Sequence, residues 1–497
     1  MPEVSKHTLA RSLPGSKRLA WGLACGVGLL LLGLFAWDHV QLLEADYLVC
    51  SPNTFRDFEV YREIAEGEIF LQGPSTSIGG NHGYLAYHVF GIVLALFPVF
   101  SGLQAVGVLI LLVSMGFSWA IARRVGSPAH ATLATGVFLA SQIASLIHYP
   151  NHIALIPLGT AMALYGLLRA REGTRWALLA ICGVVLAIGS HRTGWILLAS
   201  MGVMNLVFRR GLLRNPLVLL PLVLYVLPTA ALWMLGMGST SSAAELGQAF
   251  ADFEPWLVVQ TMPFHAFMED AGTGSRGVEV ALVLAALGVA RWRLVEDDQK
   301  MLWWFYAANF VFYPFYKYDP QYYMPMFVVL PALLTMAMNR MANFREGGGV
   351  LGMVVVAGVL LQSGWALHVQ TQGQLHPDSK HFRSIASELA VVDALTELGI
   401  SAQELLERTH FEAKSDDTRL AYLFKAFGRF GEGAEGRCLR IERAGEAPSP
   451  AVHASMDAGG YRIDLLPRDG APCASNVTPV REEFVRWDLK KWELVRR

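Results

Sequence analysis

Residues 19–37 read LAWGLACGVGLLLLGLFAW, and residues 51–74 read SPNTFRDFEVYREIAEGEIFLQGP. The first run carries no charge and is close to the ~20 residues that cross a hydrocarbon layer of about 30 Å. Lys6, Arg11, Lys17 and Arg18 precede it, and no Lys or Arg returns until Arg56. A positive flank before a first spanning helix stays in the cytoplasm, which sets the second stretch on the outer side of the membrane. The first run exceeds the apolar core of a signal peptide and further spans follow, so it reads as an uncleaved anchor.

The whole chain agrees with that start. Its 497 residues are 53% hydrophobic and 16% charged, with a mean hydropathy of +0.38. Soluble proteins carry about 25% charged residues, so this composition indicates a polytopic membrane protein. The formal net charge of -1 and the lack of a long basic tract give no hint of nucleic acid, so none is expected as a partner. Cys25 and Cys182 lie in apolar runs and read as small buried side chains, whereas Cys438 and Cys473 can pair in the polar tail.

Further spanning candidates are Tyr84–Phe100, Leu103–Ala122, Ala129–Ile147, His152–Leu168, Trp176–Gly189, Gly194–Phe208, Pro216–Leu235, Val278–Ala290, Met301–Tyr316, Tyr322–Met338 and Val350–Leu367. Basic clusters at Arg123/Arg124, Arg169/Arg171/Arg175, Arg209/Arg210/Arg214, Arg291/Arg293/Lys300 and Arg340/Arg345 follow every second segment. Placing these clusters in the cytoplasm brings Asp57, His148–His152, His191–Arg192, Met237–Gly277, Lys317–Gln321 and the tail after Val369 to the outer face. One conflict remains, because Tyr84 to Ala122 reads as two passes where this scheme needs an odd number. Either one segment is re-entrant or a helix is missing, which gives about eleven to thirteen transmembrane helices.

Residues 1–370 thus read as an all-α polytopic membrane bundle with an outer loop at 38–83. Residues 371–497 read as a small C-terminal extracytoplasmic α+β domain. There Ser379–Leu398, Ala402–Leu406 and Thr418–Phe427 have helical periodicity, and Cys438–Glu442, Tyr461–Leu465 and Phe484–Val495 alternate as strands.

In the outer loop, Asp57 and Tyr61 stand four apart on one face of a helix, with Arg56 and Glu59 to one side. A carboxylate at a water–lipid boundary can take a proton from an incoming hydroxyl or amine. The alternative is a solvated amphipathic helix lying on the membrane. The Gly73-Pro74 turn and the Gly79-Gly80-Asn81-His82-Gly83-Tyr84 loop count against it by pinning the helix to the next span.

Asp57, Tyr61, Ala65 and Gly67 form the pattern D-x-x-x-Y-x-x-x-A-x-G just after the first span. This resembles the GT-C membrane glycosyltransferases, particularly the bacterial branch related to protein O-mannosyltransferases and the lipid A aminoarabinose transferase. Many members carry Glu directly after the Asp; here Phe58 holds that place and Glu59 follows. Tyr149-Pro150-Asn151 through Pro157, Ile188 to Thr193 and Tyr318-Asp319-Pro320-Gln321-Tyr322-Tyr323 through Pro325 resemble later family segments more loosely. The resemblance covers roughly residues 19 to 340.

The resemblance implies an integral-membrane glycosyltransferase of GT-C fold. It would move a sugar from a polyprenyl-phosphate donor to an extracytoplasmic lipid, glycan or protein acceptor, with inversion. Asp57 would be the general base and Glu59 a second carboxylate. Arg192 and Lys317, with Arg56 or Arg62, would hold the departing phosphate, since such a site needs cations beside its leaving group. Tyr61, His82, Tyr84, His191, Tyr318 and Gln321 complete the expected substrate-binding set. No cofactor is expected, because basic side chains can handle a lipid monophosphate; the bilayer itself is a partner. His82, His88, His148 and His152 fit either a divalent-metal cluster or hydrogen-bonded helix ends. Two rivals belong to other classes: a polysaccharide ligase or polymerase, and a transporter or flippase of lipid-linked sugars.

Overall fold

The computed structural model describes residues 14–44, 47–49, 57, 60–61, 63–71, 73, 83–97, 100–141, 152–191, 193–234, 296–312, 324–344, 348–375, 382–384, 394, 409–410, 438–443, 454–458 and 461–466. They are mostly helical. In chain order the helices are α1 (Pro14–Glu44), α2 (Leu85–Leu96), α3 (Phe100–Val125), α4 (Pro128–Thr135), α5 (Leu155–Arg169), α6 (Thr174–Ser190), α7 (Gly194–Val207), α8 (Leu220–Met234), α9 (Asp297–Phe312), α10 (Met324–Phe344) and α11 (Gly348–Leu375). Among these described residues, five stretches are long and apolar enough to cross a membrane, within α1, α3, α5 and its flanking turns, α10 and α11. The chain is therefore a multi-pass membrane protein.

Each long helix buries one stripe and turns the rest to lipid. In α1 the buried set is Ala24, Val27, Leu31 and Phe35, the spacing of a single helix face, and it packs on α11 and α4. Leu29 and Leu30, on the other side, are exposed. Cys25 is exposed as well, and Cys182 only partly buried, so the expectation of two buried cysteines fails. Both sit one or two positions around the helix from the inward stripe.

Helices α5 and α6 form the most extensive helix pair. Small residues make this possible: Gly159, Ala163 and Gly166 meet Ala180, Gly183 and Ala187. A Cβ on Gly159 would lie 2.6 Å from the Gly183 carbonyl oxygen and 2.8 Å from the Ala187 nitrogen. Backbones this close gain dispersion and weak Cα–H···O contacts where lipid supplies no hydrophobic drive.

The pair also fixes direction. α5 starts at the 3-10 turn His152–Ala154 and ends at Arg169, and α6 runs back from Thr174 to Ser190, beside His191. Arg124, at the end of α3, bonds Glu172 and Asp298, so the basic clusters near residues 124, 169 and 210 gather at the end opposite His152 and His191. Helix α2 begins at the His191 end, where Gly83 abuts the backbone of Ile188 and Gly189. Its 12 residues rise only about 18 Å, too little to cross. Of the two segments, only α3 is among the stretches long and apolar enough to cross a membrane.

The helix expected over Ala129–Ile147 ends early, at Thr135, and gives way to the 3-10 turn Gly136–Phe138. Thr135 turns its hydroxyl back onto the Ala131 carbonyl, and Leu31 packs over Gly136. The candidate Val278–Ala290 lies outside the described residues.

Near the far end of α1, Asp38 Oδ1 accepts from His368 Nδ1 at 2.7 Å and from Gln372 Nε2 at 2.9 Å, both on α11. Just beyond, strand β1 (Tyr47–Val49) pairs antiparallel with β2 (Phe382–Ser384). Among the described spans, the first and the last are thus joined at one end. Asp38→Ala strips two donors of their acceptor in a site that is 5% exposed. It is expected to cost about 1–3 kcal/mol, read as a lower melting temperature in detergent.

In the tail, β3 (Thr409–His410), β4 (Cys438–Arg443), β6 (Tyr461–Leu466) and β5 (Ala454–Ala458) form one sheet in that order. The strands expected at Cys438–Glu442 and Tyr461–Leu465 are present, lengthened by one residue each. β5 and β6 pair antiparallel with Ala458 opposite Tyr461. Within the helix expected over Ser379–Leu398, Phe382–Ser384 is instead strand β2, drawn into pairing with β1; Phe484–Val495, Cys473 and most of the other expected tail helices lie outside the described residues.

Candidate active site

The residues described between 57 and 65 are helical, and Asp57, Val60, Tyr61 and Ile64 are buried. That is one helix face, packed on α2: Phe90 lies 5.3 Å and Tyr87 5.8 Å from the Tyr61 ring. The solvated surface helix considered as an alternative is therefore excluded. An acidic side chain has been turned into the protein, and Asp57 is 0% exposed.

A buried carboxylate must be hydrogen-bonded to be tolerated. Asp57 Oδ1 accepts from the Tyr87 hydroxyl at 3.0 Å, and Oδ2 lies 2.6 Å from His152 Nδ1. The His152 backbone N–H also points to Oδ2, at 3.5 Å. Bonding through Nδ1 places the other ring nitrogen, Nε2, on the far side of the imidazole. The ring is held flat between two others, stacked on Tyr87 at 5.4 Å and on His191 at 5.8 Å.

His191 closes the group. Its Nδ1 accepts from the Thr193 backbone N–H at 3.2 Å. The same nitrogen lies 3.1 Å from the Thr193 hydroxyl, so Thr193 holds the orientation of the ring. His191 ends α6 and His152 opens the turn before α5, so the tight α5–α6 pair sets their separation. Tyr84 stands at the rim, stacked on Tyr225 at 5.0 Å, and Tyr225 donates to the Ile188 carbonyl at 3.4 Å.

Of the residues expected at the site, the structure brings Asp57, Tyr61, Tyr84 and His191 together at one end of the bundle. Arg56, Glu59, Arg62, His82, Arg192, Lys317, Tyr318 and Gln321 lie outside the described residues. Tyr87 and Tyr225 were not read from the sequence, since each sits in an apolar helix without a motif. His152 was left open between a metal cluster and a helix-end bond; it is a hydrogen-bonded helix-end histidine, and so is His88, whose Nδ1 lies 2.9 Å from the Tyr84 carbonyl. Among the described residues no group of three or more His, Cys, Asp or Glu is arranged to hold a metal ion.

Such a carboxylate–imidazole pair, backed by a phenol and a second histidine, can accept a proton and stabilise an adjacent anion. No protein-family model and no curated protein matches the chain. Among solved structures it is similar to ArnT from Cupriavidus metallidurans bound to undecaprenyl phosphate, with a TM-score of 0.58 and 14% identity over 89% of this chain and 98% of that one. The apo state of the same protein gives a TM-score of 0.56 at 15% identity, with the same coverage. The archaeal oligosaccharyltransferase AglB from Archaeoglobus fulgidus is a weaker match, with a TM-score of 0.45 and 12% identity over 79% of this chain and 59% of that one. The chain thus has the fold of ArnT, in keeping with the resemblance carried by Asp57, Tyr61, Ala65 and Gly67.

Proposed function

We propose that this chain is a GT-C glycosyltransferase that moves a sugar from a polyprenyl-phosphate donor to an acceptor at the outer face of the cell membrane, with Asp57 in its acid–base centre. The observation that carries this reading is the fully buried Asp57 carboxylate, held by Tyr87 and His152 at the bundle end opposite the arginine clusters. Arginines of that kind mark the cytoplasmic end, which sets Asp57 toward the exterior. The ArnT fold, seen with undecaprenyl phosphate in that protein, supports the choice of donor.

In the reaction, the acceptor oxygen or nitrogen bonds to the anomeric carbon from the face opposite the phosphate. The bond from that carbon to the phosphate oxygen breaks, and its electron pair leaves with the polyprenyl phosphate. The acceptor proton goes to the Asp57–His152 pair. His191 offers a ring N–H to the negative charge that grows on the phosphate, and Arg192 and Lys317 neutralise the rest. Glu59 and the remaining expected residues bind or orient the sugar. The acceptor is a lipid, glycan or protein.

Purified protein in nanodiscs, given a panel of radiolabelled polyprenyl-phosphate sugars and membrane extract as acceptor, should consume one donor and release free polyprenyl phosphate. His152→Ala should slow that turnover roughly 10-fold or more at similar donor KM, because it removes the group that orients the carboxylate and shares its proton. Full turnover in His152→Ala would remove the pair from the mechanism. Failure to consume any donor in the panel would count against the transferase reading itself.

A further inference from the structure

At the other end of the bundle, the chain between α7 and α8 makes a turn built around one inward-facing arginine. Arg210 is 3% exposed. Its Nη1 bonds Asp298 Oδ1, and Arg124 Nε takes the other oxygen, Oδ2, at 3.3 Å. The remaining two guanidinium nitrogens, Nε and Nη2, are buried and meet no hydrogen-bond partner among the described residues. These two form the side-on fork of an arginine, the edge that matches two oxygens of one phosphate or carboxylate. Leaving it empty is costly, since each unmade charged donor forfeits its water.

The turn is constructed to present that fork. Arg171 donates from Nη2 to the Phe208 carbonyl at 2.6 Å and from Nε to the Arg209 carbonyl at 3.1 Å. Asn205 accepts from Leu212 N–H through its side chain at 2.9 Å and from Arg210 N–H through its carbonyl at 3.1 Å. Arg209 is held at φ 47°, in the left-handed region that L residues rarely adopt. On either side Leu206, Val207, Leu213 and Leu217 are exposed apolar residues, the surroundings of a lipid boundary.

We propose that the Phe208–Leu212 turn is a binding site for a phosphate group, taken side-on by Arg210 Nε and Nη2. Two sources share this chemistry, the head group of an anionic phospholipid and free inorganic phosphate, and the exposed leucines favour the lipid. The site is separate from the one at Asp57 and does not depend on the transferase reading.

The test uses the full chain in nanodiscs of phosphatidylcholine alone or mixed with phosphatidylglycerol, and in detergent with or without inorganic phosphate. Phosphatidylglycerol should raise the melting temperature, and native mass spectrometry should find it retained roughly tenfold or more over phosphatidylcholine, the scale of one bidentate charge-assisted pair. Arg210→Gln should abolish both effects and still leave Asp298 paired with Arg124. Arg210→Lys keeps the charge without the fork and should lose them too, which carries the test if the Gln variant does not fold. The exposed Arg209→Gln should retain them. A shift produced by inorganic phosphate in the wild type and lost in Arg210→Lys supports the same site filled from solution. Equal responses in wild type and both Arg210 variants, or no response to either phosphate source, would overturn the proposal.

Discussion

Asp57→Asn is expected to lower sugar transfer by roughly 10²- to 10⁴-fold, the range lost with a positioned general base. The substitution keeps shape and hydrogen bonding. The amide oxygen can face His152 Nδ1–H, and the amide nitrogen can donate to the Tyr87 oxygen, whose hydroxyl rotates. The variant should thus fold, reach the membrane in normal amount and bind donor with an unchanged KM. Only kcat should fall, because the missing property is proton affinity. The check is single-turnover transfer in nanodiscs beside a melting curve. Wild-type kcat would exclude Asp57 as the base, and a collapse in melting temperature would mean that the carboxylate serves the fold instead.

The second large effect is mechanical. Gly183→Leu places a side chain where a Cβ alone already collides with the Ala163 nitrogen and with the Gly159 carbonyl oxygen at 2.5 Å. Backbone cannot yield as a flexible side-chain tip can, so α5 and α6 must part. The expected cost is at least 1–3 kcal/mol, about the range of overpacked cores. Function should fall with stability, because His152 stands at one end of α5 and His191 at the end of α6. Gly202→Leu in α7 is the matched control; nothing lies within 4 Å of a Cβ there, and the residue is exposed. Melting temperature and transfer rate measured for both variants would separate this local wedge from a general intolerance to leucine.

Local features of the sequence proved readable, and distant partnerships did not. Asp57 and Tyr61 stood out because both lie in one short motif beside the first span, and the burial of Asp57, Val60, Tyr61 and Ile64 follows helical spacing. The role of His152 depends on a carboxylate 95 residues away, and no periodicity announces such a pair. Tyr87 is hidden for a related reason: in an apolar helix a tyrosine looks like packing until its hydroxyl finds an acceptor. Charge alternation grouped Arg124, Arg169 and Arg210, which the fold gathers at one end, while hydropathy does not tell the short α2 from the longer apolar helices. Apolar composition measures affinity for lipid or for a protein interior without saying how deep a helix runs. Arg210 was read as one of a cytoplasmic cluster, and only the fold separates it from the exposed Arg209 and Arg214.

The bond from Asp38 to His368 joins residues 330 apart. Since α1 is made first and α11 near the end of the spanning region, the carboxylate must wait in the bilayer through most of translation before its acceptor role is filled. Ribosome-stalled chains that stop short of α11 should therefore be held by the insertion machinery or degraded. Release into the lipid should become favourable once α11 arrives to shield that acid.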